Sequence, residues 1–294
     1  MSAAERAAAR GMMQKGEAGL PAEAQRAGFD AVFAERPLGA DVTLAERTLG
    51  GVRALDVRVE GANRAGVILY LHGGGYVVGS ARTGANLAAP LSRLSGVPAV
   101  SLEYRLAPEH PFPAAIHDAL AAYRELVESG QTVLIAADSA GGGLALATLL
   151  SARAEGLAMP AGVVLFSPWT DVTLTGPSID TRGEYDPLFN RPIMEDYAAM
   201  YLGGADAADE LASPLRADLS GLPPLLVQVG SAEVLLDDAL RLVARAAEQE
   251  VDVSLDVVAG APHVFQYFAG FLPEADEALD RAATFIRHRL ALVL

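Results

Sequence analysis

Short runs of apolar residues recur along the chain and predict β-strands. Some runs are continuous, such as Val67–Leu71 and Gly162–Phe166, which is typical of strands covered on both faces of a parallel sheet. Val42–Leu49 and Val52–Val59 alternate between apolar and polar positions, and the glycines at 50–51 between them predict a hairpin at a sheet edge. The other predicted strands are 97–104, 133–136, 225–229 and Val253–Val258. The pattern therefore predicts a sheet of eight strands.

Helical patterns alternate with the later strands. They cover residues 118–127, 144–150 and 274–290, and a further one ends near Gln249. Strands that alternate with helices favour an α/β fold with a mostly parallel sheet flanked by helices. No linker, low-complexity tract or repeat divides the 294 residues, so a single domain over 1–294 is predicted.

Ser139 stands where a predicted strand meets a predicted helix, in the run DSAGG at 138–142. A serine on such a corner, flanked by small residues, is typical of a nucleophile elbow, whose strained backbone presents the hydroxyl over the sheet. The usual pattern is Gly-x-Ser-x-Gly, and Ala137 replaces its first glycine. The added methyl narrows the corner but removes no reactive group. Taken alone, the motif also fits a serine at the start of a Gly-rich helix.

Three consecutive glycines follow the strand Val67–Leu71, in the run HGGGY at 72–76. Bare backbone brings N–H groups close to a ligand atom, as an oxyanion hole requires. A flexible loop is the alternative, and a phosphate-binding loop fits less well because its Lys-Ser/Thr ending is absent. Next to a nucleophilic serine, the N–H groups of Gly74, Gly75 and Ala140 are predicted to hold an oxyanion.

An acid and a base follow two later strands. The carboxylates Glu233 and Asp237 come after the strand 225–229, and His263 comes after the last strand. Because the carboxyl ends of parallel strands share one edge, these groups can converge on Ser139. A serine hydroxyl needs an imidazole to accept its proton, and the imidazole needs a carboxylate to orient it. The chain order of serine, acid and histidine is that of a hydrolase triad, with either Glu233 or Asp237 as the acid.

Two segments have no place in the layers around the sheet. Residues 3–35 predict two helical segments, separated by 16–21, before the first strand. Residues 172–214 form a long irregular stretch with one helical pattern near 193–201. Insertions of this length are usually lids or binding elements. A helical cap over Ser139, built from about 1–40 and 172–214, is therefore predicted.

Charge and composition exclude several classes of protein. The formal net charge is −15, from scattered carboxylates, which argues against a surface for nucleic acid or anionic membranes. There is no cysteine, so thiolate chemistry and disulfides are excluded. The charged start lacks a signal-peptide core, and no apolar run reaches the roughly twenty residues of a membrane span. We expect a soluble, cytoplasmic protein without a metal or other cofactor.

Together these motifs resemble the hormone-sensitive-lipase-like family of α/β-hydrolases, a group of bacterial carboxylesterases. The resemblance covers nearly the whole chain and rests on residues 72–76, 104–113, 138–142, 230–238 and 263–265. The family's acid is most often the first carboxylate of a pattern resembling Asp-x-Leu-x-Asp. Glu233 occupies that position here, so the resemblance favours Glu233 over Asp237.

The resemblance implies a serine carboxylesterase that hydrolyses short-to-medium acyl esters of small molecules through an acyl-enzyme intermediate. One alternative is a lactonase or deacetylase dedicated to one metabolite. A non-hydrolytic binding protein or lyase fits less well, because Ser139 and His263 are both present. A homodimer through an edge strand is implied as well. Aromatic residues near the predicted site are candidates for the pocket walls, with ordinary core positions as the alternative: Tyr76, Trp169, Tyr185 and Phe265.

Overall fold

The computed structural model describes residues 8, 11–13, 17–34 and 36–293. Their centre is one eight-stranded sheet with the order β1-β2-β4-β3-β5-β6-β7-β8. The strands are β1 Val42–Leu49, β2 Val52–Val59, β3 Val67–Leu71, β4 Ala99–Leu102, β5 Val133–Asp138, β6 Gly162–Phe166, β7 Leu225–Gly230 and β8 Val253–Val258. The pair β1–β2 and the pair β2–β4 are antiparallel, and the other neighbours are parallel. The predicted α/β fold with a mostly parallel sheet is confirmed.

Most strand bounds agree with the apolar pattern. Five strands begin and end where predicted, and the hairpin at 50–51 pairs Leu49 with Val52 at the sheet edge. The strand predicted over 97–104 is shorter, because Ala99–Leu102 alone belongs to the ladder. The strand β5 is longer than predicted and continues to Asp138, directly before the serine.

Within the described residues, α-helices accompany the sheet. They are α1 Ala22–Phe33, α2 Ala81–Ser95, α3 Ala114–Glu128, α4 Ala140–Ala154, α5 Ser178–Thr181, α6 Arg191–Leu202, α7 Leu236–Glu248 and α8 Pro273–Ala291. Among them, α2, α3, α4, α7 and α8 cover the two faces of the sheet. The pattern of apolar positions did not predict α2. Its start is fixed by a capping box between Ser80 and Thr83, and it ends at Gly96 in the left-handed region.

The core lies in two layers because successive strand residues point to opposite faces. Leu69 and Leu71 of β3 pack in a cluster with residues of α3, α4 and α7. Ile68 and Tyr70 of the same strand pack on the other side, with residues of α2 and α8. Both faces of the central strands are thus buried, which explains their continuous apolar runs.

The first predicted N-terminal helical segment lies largely outside the described residues, and the second is α1. Arg26 of α1 donates from Nε to the Val77 carbonyl and from Nη2 to the Ala107 carbonyl, each at 2.8 Å. It also pairs with Glu109 at 2.6 Å. These bonds hold α1 beside the loop that follows the three glycines. Within the described ranges, none of the helices combines the length and apolar composition needed to cross a bilayer.

Candidate active site

Ser139 occupies a sharp corner between β5 and α4. Its φ of 52° and ψ of −123° are strained for a residue with a side chain, as expected of a nucleophile elbow. Neighbouring backbone holds the corner: the Ser139 N–H donates to the Phe166 carbonyl, and the Ser139 carbonyl accepts from the Trp169 N–H, both at 2.9 Å. Ala137 is fully buried in the core. The elbow therefore forms with alanine in place of the usual first glycine.

Close backbone contacts explain two of the glycines. A Cβ on Gly141 would lie 2.1 Å from the carbonyl oxygen of Leu71, so α4 begins directly against the end of β3. A Cβ on Gly74 would lie 2.1 Å from the carbonyl oxygen of Val78, within the turn after β3. A side chain at 141 would push α4 away from the end of β3, and a side chain at 74 would distort the turn of the glycine loop. The glycines therefore bring bare backbone beside Ser139.

The predicted oxyanion groups lie on both sides of this junction. Gly74 has a φ of 118° and lines the same cavity as Ser139. Gly75, with a φ of 60°, is covered by the ring of Tyr197. Ala140 is the first residue of α4, where a backbone N–H has no acceptor within the helix. The local geometry is compatible with N–H groups that bind an anion beside the serine.

His72 supports the glycine loop from below. Its Nδ1 lies 2.7 Å from the Gly73 carbonyl oxygen, and its own carbonyl accepts from the Tyr104 hydroxyl at 2.7 Å. Its ring stacks on that of Tyr104 at 4.2 Å. Burial lowers the pKa of His72 to about 4, so the ring is neutral at pH 7. A neutral ring with Nδ1–H as the donor fits a structural role.

The structure joins His263 to Glu233. Nδ1 of His263 lies 2.6 Å from Oε2 of Glu233, and both side chains are buried. The second oxygen of Glu233 accepts from the Gly230 N–H and the Ser167 hydroxyl, each at 2.7 Å. Asp237, the alternative acid, instead accepts from the Ser178 N–H at 2.5 Å. Of the two candidate acids, Glu233 is therefore the one bonded to the histidine.

Ser167 is a site residue that none of the sequence motifs predicted. Its hydroxyl donates to Glu233 and accepts from the N–H of Val264, next to His263, at 3.0 Å. It follows β6 with a φ of 48°. One hydroxyl thus connects the acid to the histidine loop. The position of Ser167 directly after β6, which lies in the sheet between the strand before Ser139 and the strand before Glu233, is the signal that could have identified it.

The electrostatics favour the charged form of His263. Burial alone would lower the pKa of the imidazole, but the charge and the hydrogen bond of Glu233 raise it, and Asp186 and Asp138 raise it further. On balance the pKa of His263 lies above the usual 6.5. The carboxylates therefore stabilise an imidazolium at this position.

Asp138, directly before the serine, ties the elbow to the glycine loop. Its Oδ1 accepts from the Tyr70 hydroxyl at 2.7 Å and from the Gly73 N–H at 3.0 Å. Burial raises the pKa of Asp138 to about 6, against the opposing effect of these hydrogen bonds. Asp138 also lines the cavity with Ser139 and His263. The carboxylate thus helps to hold the predicted oxyanion loop in place.

A cavity of about 1120 Å³ opens above Ser139 and His263. Its walls are mainly apolar. They come from α1, from the segment 172–214, which includes α6, and from the residues after β8. The aromatic residues among them are Phe29, Phe33, Phe189, Tyr197, Tyr267, Phe268 and Phe271. A cavity of this size and polarity suits an apolar organic group.

The four aromatic residues predicted as pocket walls do not line this cavity, and that prediction was wrong. Tyr76, Trp169 and Phe265 are fully buried, and Tyr76 stacks on Tyr201 at 3.7 Å. Tyr185 is 52% exposed. Proximity in sequence to a strand end does not set the direction of a side chain, and these rings point into the core or to solvent. Within the described ranges, no three His, Asp or Glu side chains are grouped to hold a metal ion.

Comparisons with known proteins agree with this geometry. Residues 68–267 match a family described as having an α/β-hydrolase fold. An acetyl-hydrolase of Streptomyces hygroscopicus is 43% identical over 223 residues, which are 75% of this chain and 75% of that protein. An esterase of Acinetobacter venetianus is 36% identical over 239 residues, covering 80% of this chain and 78% of the esterase.

A solved structure is similar over almost the whole length. The crystal structure of an esterase from the bacterial hormone-sensitive lipase family is 41% identical, with a TM-score of 0.94 over 98% of this chain and 99% of that one. The chain therefore belongs to the α/β-hydrolases, in the hormone-sensitive-lipase-like family that its motifs predicted.

Proposed function

We propose that this protein is a serine carboxylesterase that hydrolyses small acyl esters through an acyl-enzyme on Ser139. The carrying observation is the hydrogen bond of 2.6 Å between His263 and the buried Glu233, together with the cavity that His263 and the strained Ser139 both line. The relatives named acetyl-hydrolase and esterase support this activity. No cofactor takes part in the proposed reaction.

The chemistry follows from the position of each group. The hydroxyl oxygen of Ser139 attacks the ester carbonyl carbon while Nε2 of His263 accepts the hydroxyl proton. Glu233 binds the opposite ring nitrogen, Nδ1, and so holds the tautomer in which Nε2 is free to accept. The N–H groups of Gly74, Gly75 and Ala140 hold the oxyanion of the tetrahedral intermediate.

Collapse of that intermediate forms the acyl-enzyme. The imidazolium of His263 donates its proton to the leaving alcohol as the carbon–oxygen bond breaks. Water then attacks the acyl-enzyme with His263 again as the base, and a second tetrahedral intermediate releases the carboxylic acid and Ser139. Both stages use the same groups, so one site completes the cycle.

The proposed substrates are acyl esters of short to medium chain length. The apolar walls and the volume of about 1120 Å³ support a chain longer than acetyl. We propose that α1 and the segment 172–214 form the cap over this cavity, because both contribute lining residues. A cytoplasmic location and a homodimer remain predictions from the sequence and the family resemblance.

Hydrolysis of p-nitrophenyl esters from acetate to palmitate tests the proposed function. We expect the wild type to give its highest kcat/KM with short-to-medium chains, as the family resemblance implies and as the relatives named acetyl-hydrolase and esterase support. Ser139→Ala, measured beside it, should be inactive throughout the series. A wild type that cleaves none of these esters would contradict the carboxylesterase assignment.

The pH dependence of kcat/KM follows from the carboxylates around His263. Only the neutral imidazole accepts a proton, so activity falls as the pH decreases through the pKa of His263, which lies above 6.5. We therefore expect the acidic limb of a profile recorded from about pH 5 to about pH 9 to have its midpoint above that value. A midpoint below 6.5 would show that the carboxylates do not stabilise the imidazolium.

A further inference from the structure

Asp186 is a buried carboxylate that neither the motifs nor the proposed mechanism uses. It lies in the segment between α5 and α6 and is 1% exposed. Oδ1 accepts from the N–H groups of Leu188 and Phe189, at 2.8 and 3.0 Å. Oδ2 accepts from the N–H of Val234 at 2.9 Å. A single side chain therefore joins two separate segments through three backbone donors.

Both of these segments contact His263. Val234 directly follows Glu233, whose carboxylate binds the imidazole at 2.6 Å. Phe189 meets the imidazole ring edge-on, with ring centres 5.1 Å apart and planes at 88°. Loss of the Asp186 carboxylate would therefore remove the hydrogen bonds that hold Val234, next to Glu233, on one side of the histidine and Phe189 on the other. The position of the imidazole depends on both contacts.

The charge of Asp186 also acts on His263. The imidazole faces carboxylates from three elements: Glu233 after β7, Asp186 in the segment 172–214 and Asp138 at the end of β5. Each of them favours the imidazolium form. On balance burial raises the pKa of Asp186, although the charge of His263 and the hydrogen bonds from the N–H groups of Val234 and Leu188 oppose this rise. Burying a charged carboxylate costs free energy. A neutral asparagine could accept the same backbone hydrogen bonds in the turn without that cost.

Resting on the proposed function, we propose that Asp186 is a positioning residue for ester hydrolysis at Ser139. It fixes Glu233 and Phe189 around His263 and supplies an additional negative charge that stabilises the imidazolium formed when the serine is deprotonated. This role belongs to the segment 172–214, so that segment contributes to the proton transfer as well as to the cavity wall.

The test compares Asp186→Asn with Asp237→Asn, using p-nitrophenyl butyrate and the complete chain. Asp237 also joins the segment 172–214 to the acid segment, through the Ser178 N–H, but it is not among the groups that shift the pKa of His263. We expect Asp186→Asn to lower kcat/KM by about ten- to a hundredfold, as for a misplaced catalytic group. The acidic limb of the pH profile of kcat/KM should also move to lower pH in this variant, because a negative charge that favours the imidazolium of His263 is lost.

The control separates this effect from a general loss of packing. Asp237→Asn should keep the acidic limb of the wild-type pH profile, and its kcat/KM should lie within about threefold of the wild-type value. If Asp186→Asn keeps both the wild-type rate and the wild-type limb, or loses only thermal stability, the inference is overturned. An inactive wild type would instead refute the proposed function, so the two failures are distinguishable.

Asp186→Glu covers the case in which the asparagine variant does not fold. It retains the charge but displaces the oxygens by one methylene, so we expect a reduced kcat/KM with an acidic limb close to that of the wild type. A wild-type rate in this variant would show that the placement of the carboxylate does not matter, and would overturn the inference.

Discussion

Replacement of His263 by alanine is expected to lower kcat for p-nitrophenyl butyrate by about 10⁶-fold. The hydroxyl of Ser139 is a weak nucleophile without a base, and the leaving alcohol loses its proton donor. The same change in His288, an exposed residue of α8, provides the matched control and should leave the rate near the wild-type value. Initial rates, together with circular dichroism to establish folding, measure the effect.

Substantial activity in folded His263→Ala would contradict the assignment of the base. A loss within about a hundredfold would be too small for removal of the residue that both accepts and donates the proton. Loss of activity in His288→Ala would indicate that histidine substitutions act through folding rather than through the site.

Glu233→Gln is expected to lower kcat by about 10⁴-fold, since the amide favours the wrong tautomer of His263. The side chain keeps its size, but its amide nitrogen would face either Nδ1 of His263 or the N–H of Gly230. In the wild type both of these groups contact carboxylate oxygens of Glu233, which accept hydrogen bonds, whereas an amide nitrogen donates. Steady-state kinetics with p-nitrophenyl butyrate measure the loss. Asp237→Asn is again the control, because that carboxylate bonds to Ser178 and not to the histidine.

The reverse result would overturn the choice of acid. If Asp237→Asn lost activity by several orders of magnitude while Glu233→Gln retained it, the acid would have to be reassigned. The 2.6 Å contact between Glu233 and His263 predicts the opposite order.

The central strands β3 and β6 could be predicted because burial on both faces leaves a short continuous apolar run. The edge strands β1 and β2 could be predicted because apolar and polar positions alternate on either side of the glycines at 50–51. The helix α2 could not be predicted because its sequence carries a weak helical pattern. Its core-facing residues are small, including Ala85, Ala88 and Ala89, and Pro90 lies inside it. Alanine and glycine give a weak contrast between apolar and polar faces, and an internal proline usually indicates a helix end. Ser80 and Gly96 were the stronger signals.

The principal site residues could be predicted because each follows a strand end, and the fold brings those ends to one edge. Ser167 and Asp138 also lie at strand ends, but that position alone does not assign them a role, and Asp186 lies at no strand end. Their roles depend on hydrogen bonds between segments far apart in the chain, such as the bond from Val234 to Asp186. The prediction of the cavity walls was wrong for the same reason. Residues of α1 and α6 contribute to these walls, and only the packing of these helices shows which rings face Ser139.

Covalent labelling of Ser139 tests the central claim most directly. An alkyl p-nitrophenyl phosphonate should phosphonylate the serine hydroxyl and release p-nitrophenol, because the product imitates the tetrahedral intermediate. Peptide mass mapping of the inactivated protein is predicted to show one adduct, on the peptide that contains Ser139, and none in Ser139→Ala. Full inactivation with the adduct on another residue, or with Ser139 unmodified, would contradict the proposed nucleophile.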